Sequence, residues 1–155
     1  MERYFKTQEG ETVNIIQHTL EQIEKWAHLK IYIGTDSQDC HGRETDYVTC
    51  ITYRYGQRGA HFIYFKETVP KVKDMTQFAR LYDEGVRTIE VARILTDELP
   101  IAVEAMEFDF ADEKPTLSSK LVGVFKGYQN SVFKGGEMIA CKAADHILRH
   151  KDLYK

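Results

Sequence analysis

Cysteine is scarce in this 155-residue chain: there are three, Cys40, Cys50 and Cys141, an odd number with no C-x-x-C spacing. That argues against a disulfide framework and predicts free thiols in a reducing compartment. Long apolar runs are missing too. No stretch approaches the roughly 18 residues needed to span a bilayer, and the first residues, "MERYFKTQEGE", are too charged for a signal peptide. A cytoplasmic location is the expectation. An excess of positive charge is also lacking, since the net charge is −3. There is no global attraction to nucleic acid of the kind a basic face supplies. Carboxylates gathered around bound cations would nonetheless turn a local negative field into a site for phosphates. Internal repeats, low-complexity stretches and linkers are absent, so one domain spanning 1–155 is expected.

What is present is an ordinary share of apolar (43%) and charged (29%) residues with clear periodicity. Val13, Ile16, Leu20, Ile23 and Ala27 recur at spacings of three and four, which predicts an amphipathic helix over about 12–28. Lys30 to Ser37 reads as a strand, 39–46 as a polar loop, and Tyr47 to Tyr55, "YVTCITYRY", as a second strand. "GQRG" is a hairpin turn, and Ala60 to Val69 a third strand ended by Pro70. These three strands should run antiparallel. Asp74 and Gln77 have the spacing of a capping box for a long helix that reaches about Leu99, where Pro100 closes it. The stretch 101–110, "IAVEAMEFDF", is a fourth strand, parallel to the first by a right-handed crossover. Thr116 can cap a helix to about Phe133, and a last helix covers about 137–150. A short fifth strand is expected near Ser131–Lys134.

The stretch "IYIGTDSQ", 31–38, carries an apolar strand straight into a carboxylate, Asp36. Central strands of α/β sheets deliver their last residues to the crevice at the strand ends. Gly34 shares a face with Asp36 and leaves room for something to approach. Glu107 and Asp109 share a face of the fourth strand, and if that strand neighbours the first, Asp36 and Asp109 meet. Carboxylates so placed repel unless a cation lies between them, and Mg²⁺ suits such oxygen ligands. On the long helix Glu84 lies at the margin of the stripe Phe78, Leu81, Tyr82, Gly85, Ile89 and Ala92, whereas Asp83 and Glu90 lie beside Arg80 and Arg87. Gly85 suggests close packing against a strand. Asp145 borders the apolar face of the last helix, near Cys141, Lys142 and Arg149. Taken singly, each acid is more often a cap, a turn or a solvated residue.

Together they form an arrangement that resembles the RNase H-like, or retroviral integrase-like, superfamily. More closely, "GTDSQ" with the "EFDF" strand and the "KAADHI" helix resembles the small bacterial family typified by YkuK. The resemblance implies an α/β fold with a mixed five-stranded sheet, its first three strands antiparallel, flanked by helices and preceded by an extra N-terminal helix. It implies a two-metal nuclease site of Asp36, Glu84, Asp109 and Asp145 holding Mg²⁺ or Mn²⁺. The substrate would be RNA, an RNA–DNA hybrid or structured DNA. The start of the last helix departs from the family pattern: it reads "KGGE", with Glu137 where a polar residue near the site is expected. The alternative is a nucleic-acid-binding module of the same fold without catalysis. Lys66, Lys71, Lys73, Lys120, Lys126 and Lys134 are candidates for backbone contacts. Tyr53, Tyr55 and Tyr64 read equally as core or as the interface of a homodimer. Glu107, Glu137, His41 and Lys142 are left without a role.

Overall fold

The computed structural model describes residues 2–71, 76–110, 119–134 and 137–154. Asp74, Thr116 and Lys73 lie outside them, so the caps expected at the first two and the contact at the third have no structural account.

In chain order the elements are β1 (Tyr4–Thr7), β2 (Thr12–Asn14), α1 (Ile15–Lys25), β3 (Lys30–Cys40), β4 (Glu44–Arg54) and β5 (Ala60–Pro70). They continue with α2 (Gln77–Glu98), β6 (Ala105–Phe108), α3 (Ser119–Phe125), β7 (Ser131–Phe133) and α4 (Ala140–Arg149). Among the described residues the sheet has seven strands in the order β2-β1-β5-β4-β3-β6-β7. Strands β3, β4 and β5 are antiparallel, and β6 joins β3 in parallel. These pairings are the expected ones, and the short strand β7 lies parallel beside β6.

The two extra strands are an N-terminal hairpin where only a helix was expected. Residues 12–14 pair with 4–6, and β1 then adds to the edge of β5. The helix therefore starts three residues late, at Ile15. Asn14 Oδ1 caps it by accepting the backbone N–H groups of Ile16 (3.0 Å) and Gln17 (3.1 Å). Ile16, Leu20 and Ile23 pack on the core as their spacing predicted. Helix α2 is capped by Thr76, whose hydroxyl accepts the Ala79 N–H at 3.1 Å.

The 39–46 segment is not a loop. Its polar side chains satisfy one another across two strands: the Thr45 hydroxyl donates to Asp39 at 3.1 Å, and Asp46, 3% exposed, accepts from Thr68, Cys40 and Lys151. The ladder thus runs to Cys40↔Glu44, and the turn falls at His41 and Gly42, both in the left-handed region. The third helix is shorter than expected, because Asn130 turns at a φ of 64° and releases residues 131–133 to pair with β6.

Helices cover both faces. One core joins α1, α2 and α3 to the sheet through Ile31, Ile33, Val91, Leu95, Phe108 and Phe125. A second joins α4 to the other face through Val48, Cys50, Tyr64, Ala144 and Ile147. Tyr53 and Tyr64 are core: Tyr53 is fully buried and Tyr64 packs its ring edge against Tyr154. Tyr55 stacks on Trp26 at 4.3 Å.

Candidate active site

Asp36 is the seventh of eleven residues of β3, not the last. The crevice beside it arises because the neighbouring strand stops. Strand β6 is in register with β3 at Tyr32↔Ala105, Ile33↔Met106 and Gly34↔Glu107, and ends at Phe108. Continuing that register by two residues puts Asp109, just past the end of β6, level with Asp36. Asp145 comes from α4, which packs on the same face as Asp36, and the two carboxyl groups abut. Glu84 comes from α2 on the opposite face. Ser37, whose side chain points to that face, donates its hydroxyl to Glu84 Oε2 at 2.7 Å. The second oxygen, Glu84 Oε1, is buried and has no hydrogen-bond partner. Asp145 and Asp109 thus act on the Asp36 carboxyl, and Glu84, from the opposite face, feels Asp36 and Asp109.

Their electrostatics follow from crowding. Burial pushes the Asp36 carboxyl up to about 6; the Ser37 N–H opposes this, and the Asp145 and Asp109 carboxylates add to it. Burial also drives Glu84 well above the usual carboxylate range, with Ser37 and Arg80 opposing and Asp36 and Asp109 reinforcing. Glu84 is 4% exposed and lies in the centre of the buried stripe with Gly85, Thr88, Val91 and Leu95, not at its margin. Tyr82, expected in that stripe, is on the surface. The counter-charges are arginines: Arg149 pairs with Asp145 at 3.0 Å, and Arg80 reaches Asp39 at 3.5 Å.

Several other acids have structural work. Glu107 is 1% exposed and receives the backbone N–H groups of Ile139, Ala140 and Cys141 at 3.1, 2.9 and 2.9 Å. It caps α4, whose own N-terminal residue Ile139 supplies no side-chain bond. Glu137 pairs with Arg54 at 2.7 Å, at the far end of β4 from Asp36. Glu90 pairs with Arg3 and not with Arg80 or Arg87. Asp83 accepts the Tyr47 hydroxyl at 3.3 Å. Lys142 is exposed, and His41 lines a cleft shared with Arg149 and His150. Lys66 and Lys71 pair with Asp46 and Asp39, while Lys120, Lys126 and Lys134 are exposed.

Both glycines are occupied by protein. A Cβ on Gly34 would lie 2.7 Å from Cys141 Sγ and 2.8 Å from the Cys141 backbone nitrogen, so what approaches β3 here is α4 itself. A Cβ on Gly85 would run into the Phe125 ring, so the close neighbour is α3 and not a strand. Sequence reading missed Ser37 and Arg80. Ser37 was available from strand alternation: once Asp36 faces α4, its neighbour must face α2.

The donor set is all oxygen, which fits Mg²⁺ or Mn²⁺ better than a soft ion. Glu84 Oε1 is buried and accepts no hydrogen bond, and Asp36 is raised by burial and then by the Asp145 and Asp109 carboxylates. Among the described residues, no group of three or more His, Cys, Asp or Glu side chains is drawn together tightly enough to hold an ion as it stands.

The family model described as Ribonuclease H-like matches residues 11–118, more than two thirds of the chain. This protein belongs to the Ribonuclease H-like family. The matched span contains Asp36, Glu84 and Asp109 and stops before Asp145. No curated protein and no solved structure matches the chain. No helix among the described residues is long and apolar enough to cross a membrane.

Proposed function

We propose that this protein is a divalent-metal-dependent nuclease that hydrolyses phosphodiester bonds of RNA, an RNA–DNA hybrid or structured DNA. The observation that carries the reading is the crowding of negative charge at Asp36, raised by burial and then by the Asp145 and Asp109 carboxylates, beside a buried Glu84 whose Oε1 accepts no hydrogen bond. Asp36 and Asp109 would hold Mg²⁺ or Mn²⁺, with Glu84 and Asp145 as further ligands. Metal bound there would activate water and stabilise the leaving oxygen. The chain's own contribution is placement. Ser37 orients Glu84, Glu107 seats the helix that carries Asp145, and Arg149 holds the Asp145 carboxylate by its i,i+4 pair.

A second reading, a nucleic-acid-binding module of the same fold, draws on the open arrangement of the acids and on the Asp145–Arg149 pair. A cleavage panel separates the two. Labelled RNA, RNA–DNA hybrid, single-stranded DNA and branched DNA are incubated with Mg²⁺ or Mn²⁺ and the wild-type protein. Cleavage that vanishes in Asp36→Asn supports the nuclease. Binding to any of these substrates without cleavage by wild type supports the module.

A further inference from the structure

The N-terminal hairpin builds a cleft on the α4 side of the sheet. Strand β1 carries the sheet past β5, with Lys6 opposite Tyr64. Paired residues share a face, and so do residues two apart, so Tyr4, Lys6, Tyr64 and Lys66 all point to the side where α4 packs. The intervening Phe5 is buried in the core on the other side. The segment that follows α4 brings Lys151 and Tyr154 to the opposite wall. The cleft so formed has a volume of about 360 Å³.

In a chain of net charge −3, this cleft is lined by three lysines and, among the described residues, by no carboxylate. Their counter-charge is the buried Asp46, whose oxygens are already taken: Oδ1 accepts from Thr68, and Oδ2 from Cys40 and from Lys151 at 2.6 Å. Lys66 Nζ stands 3.9 Å from that oxygen, beyond hydrogen-bonding distance. Lys6 has no ion pair among the described residues. One carboxylate against three ammonium groups leaves a positive field with free donors. The aromatic wall is fixed at one end, where Tyr154 sets its ring edge-on to Tyr64 and bonds His146 at 3.0 Å. Tyr4, at the mouth, is 49% exposed. Its hydroxyl donates to Glu2 at 3.2 Å, and its ring stacks on no other ring among the described residues.

A second cleft, of about 660 Å³, continues from the first around the C-terminal end of α4, and Lys151 lines both. His41, Arg149 and His150 line it too. Its carboxylates are Asp39, which Lys71 and Arg80 neutralise, and the exposed Asp152. Arg149 pairs with Asp145, and Asp145 abuts Asp36. The cations thus form a path from the acid cluster to Tyr4.

We propose that this path binds a single-stranded stretch of nucleic acid, with the lysines on backbone phosphates and Tyr4 stacked on a base. An ammonium group holds a phosphate as a point charge, whatever the sequence. An exposed tyrosine ring stacks on any base, and a cationic groove with such a ring is the makeup of a single-strand site. A duplex does not serve, because its bases are stacked on one another and offer Tyr4 no free face. The inference rests on the nuclease reading for its ligand class, and narrows the substrate to one with a single-stranded end or loop.

The test is the fluorescence anisotropy of a labelled eight-nucleotide oligothymidylate with the full chain in EDTA, so that neither metal nor cleavage enters. Loss of this binding sinks the path alone, whereas a failure to cleave bears only on the nuclease reading. Binding that weakens with salt is expected. Tyr4→Leu should weaken it by about tenfold and Tyr4→Trp should restore it, which a merely structural role would not do. Lys6→Gln and Lys66→Gln should each weaken it by about threefold. Lys30→Gln, which loses only a surface pair with Glu104, should bind as wild type does. Tyr4 and Lys6 are exposed, so their variants should fold, as melting curves check. Unlabelled duplex of the same length, and thymidine monophosphate at the same nucleotide concentration, should both compete poorly. No binding at low salt, duplex or mononucleotide competing as well as the single strand, or an affinity unmoved by Tyr4→Leu and Lys6→Gln together would overturn the proposal.

Discussion

Ser37 donates its hydroxyl to Glu84 Oε2 at 2.7 Å, while the other oxygen of that carboxylate is buried with nothing to accept from. The bond ties β3 to α2 from the residue next to Asp36. It holds Glu84 against the strand that carries Asp36. Ser37→Ala should free Glu84 without removing any acid. We expect cleavage to fall by about tenfold to a hundredfold, with stability reduced by about 1 kcal/mol. Activity that stays at the wild-type level in Ser37→Ala would show that Glu84 is placed by packing alone.

The acid cluster should cost stability when no divalent ion is present. Asp36 has a folded value of about 6 against 3.8 when free. A group raised in this way contributes stability below about pH 4 and loses it as pH rises through 6. At pH 7 in chelator, Asp36→Asn should therefore be more stable than wild type, by about 1–2 kcal/mol. Urea denaturation at pH 5 and pH 7 measures it. Equal midpoints for the two proteins at pH 7 would contradict the raised carboxyl.

Asp46 has the opposite sign. Burial raises it, but hydrogen bonds from Lys151, Thr68 and Cys40 overcome this and hold it at about 2. Its contribution is present above about pH 4 and disappears as pH falls through 2. Asp46→Asn leaves Lys151 facing Cys40 without its carboxylate. A loss of about 2–3 kcal/mol in urea at pH 7 is expected.

Divalent ions that bind the native acids should raise the melting temperature of wild type. The rise with millimolar Mg²⁺ or Mn²⁺ should shrink in Asp36→Asn and in Asp109→Asn. Glu90→Gln, on the solvent side of α2 against Arg3, should keep it in full. Melting curves of wild type that do not move with either ion would remove the support for a metal site there.

In the cleavage panel Asp36→Asn and Asp109→Asn should each lose several orders of magnitude, because charge on a metal ligand has no substitute. Asp145→Asn should lose less, since Asp145 is shared with Arg149 at 3.0 Å. Glu90→Gln sets the baseline. Residual wild-type rates in Asp36→Asn would identify a contaminating nuclease.

Much of this could be read from the chain, and what could not has physical reasons. Period-two and period-three-to-four patterning located β3 to β5, α2 and α4, and so put Asp36 on β3, Glu84 on α2 and Asp145 on α4. Residues 12–14 read as helix because Val13 fits the helical spacing. Only its pairing with Phe5, a contact outside any local window, makes it strand. The polar run 39–46 read as a loop because composition does not reveal that Asp46 is neutralised by Lys151, 105 residues away. Gly34 was rightly singled out as a place of close approach, but local sequence cannot say whether the visitor is a ligand or Cys141.

The cap on α4 has a consequence for how the chain is made. Glu107 is donated to by residues 32 to 34 positions further on. A chain that ends before Ile139, whether emerging from a ribosome or cut by a protease, leaves the buried carboxylate of β6 without these three donors. Such a fragment must either expose β6 to water or keep that carboxyl protonated. The C-terminal helix is thus less an addition to a finished sheet than the part that lets the parallel strand beside β3 be buried.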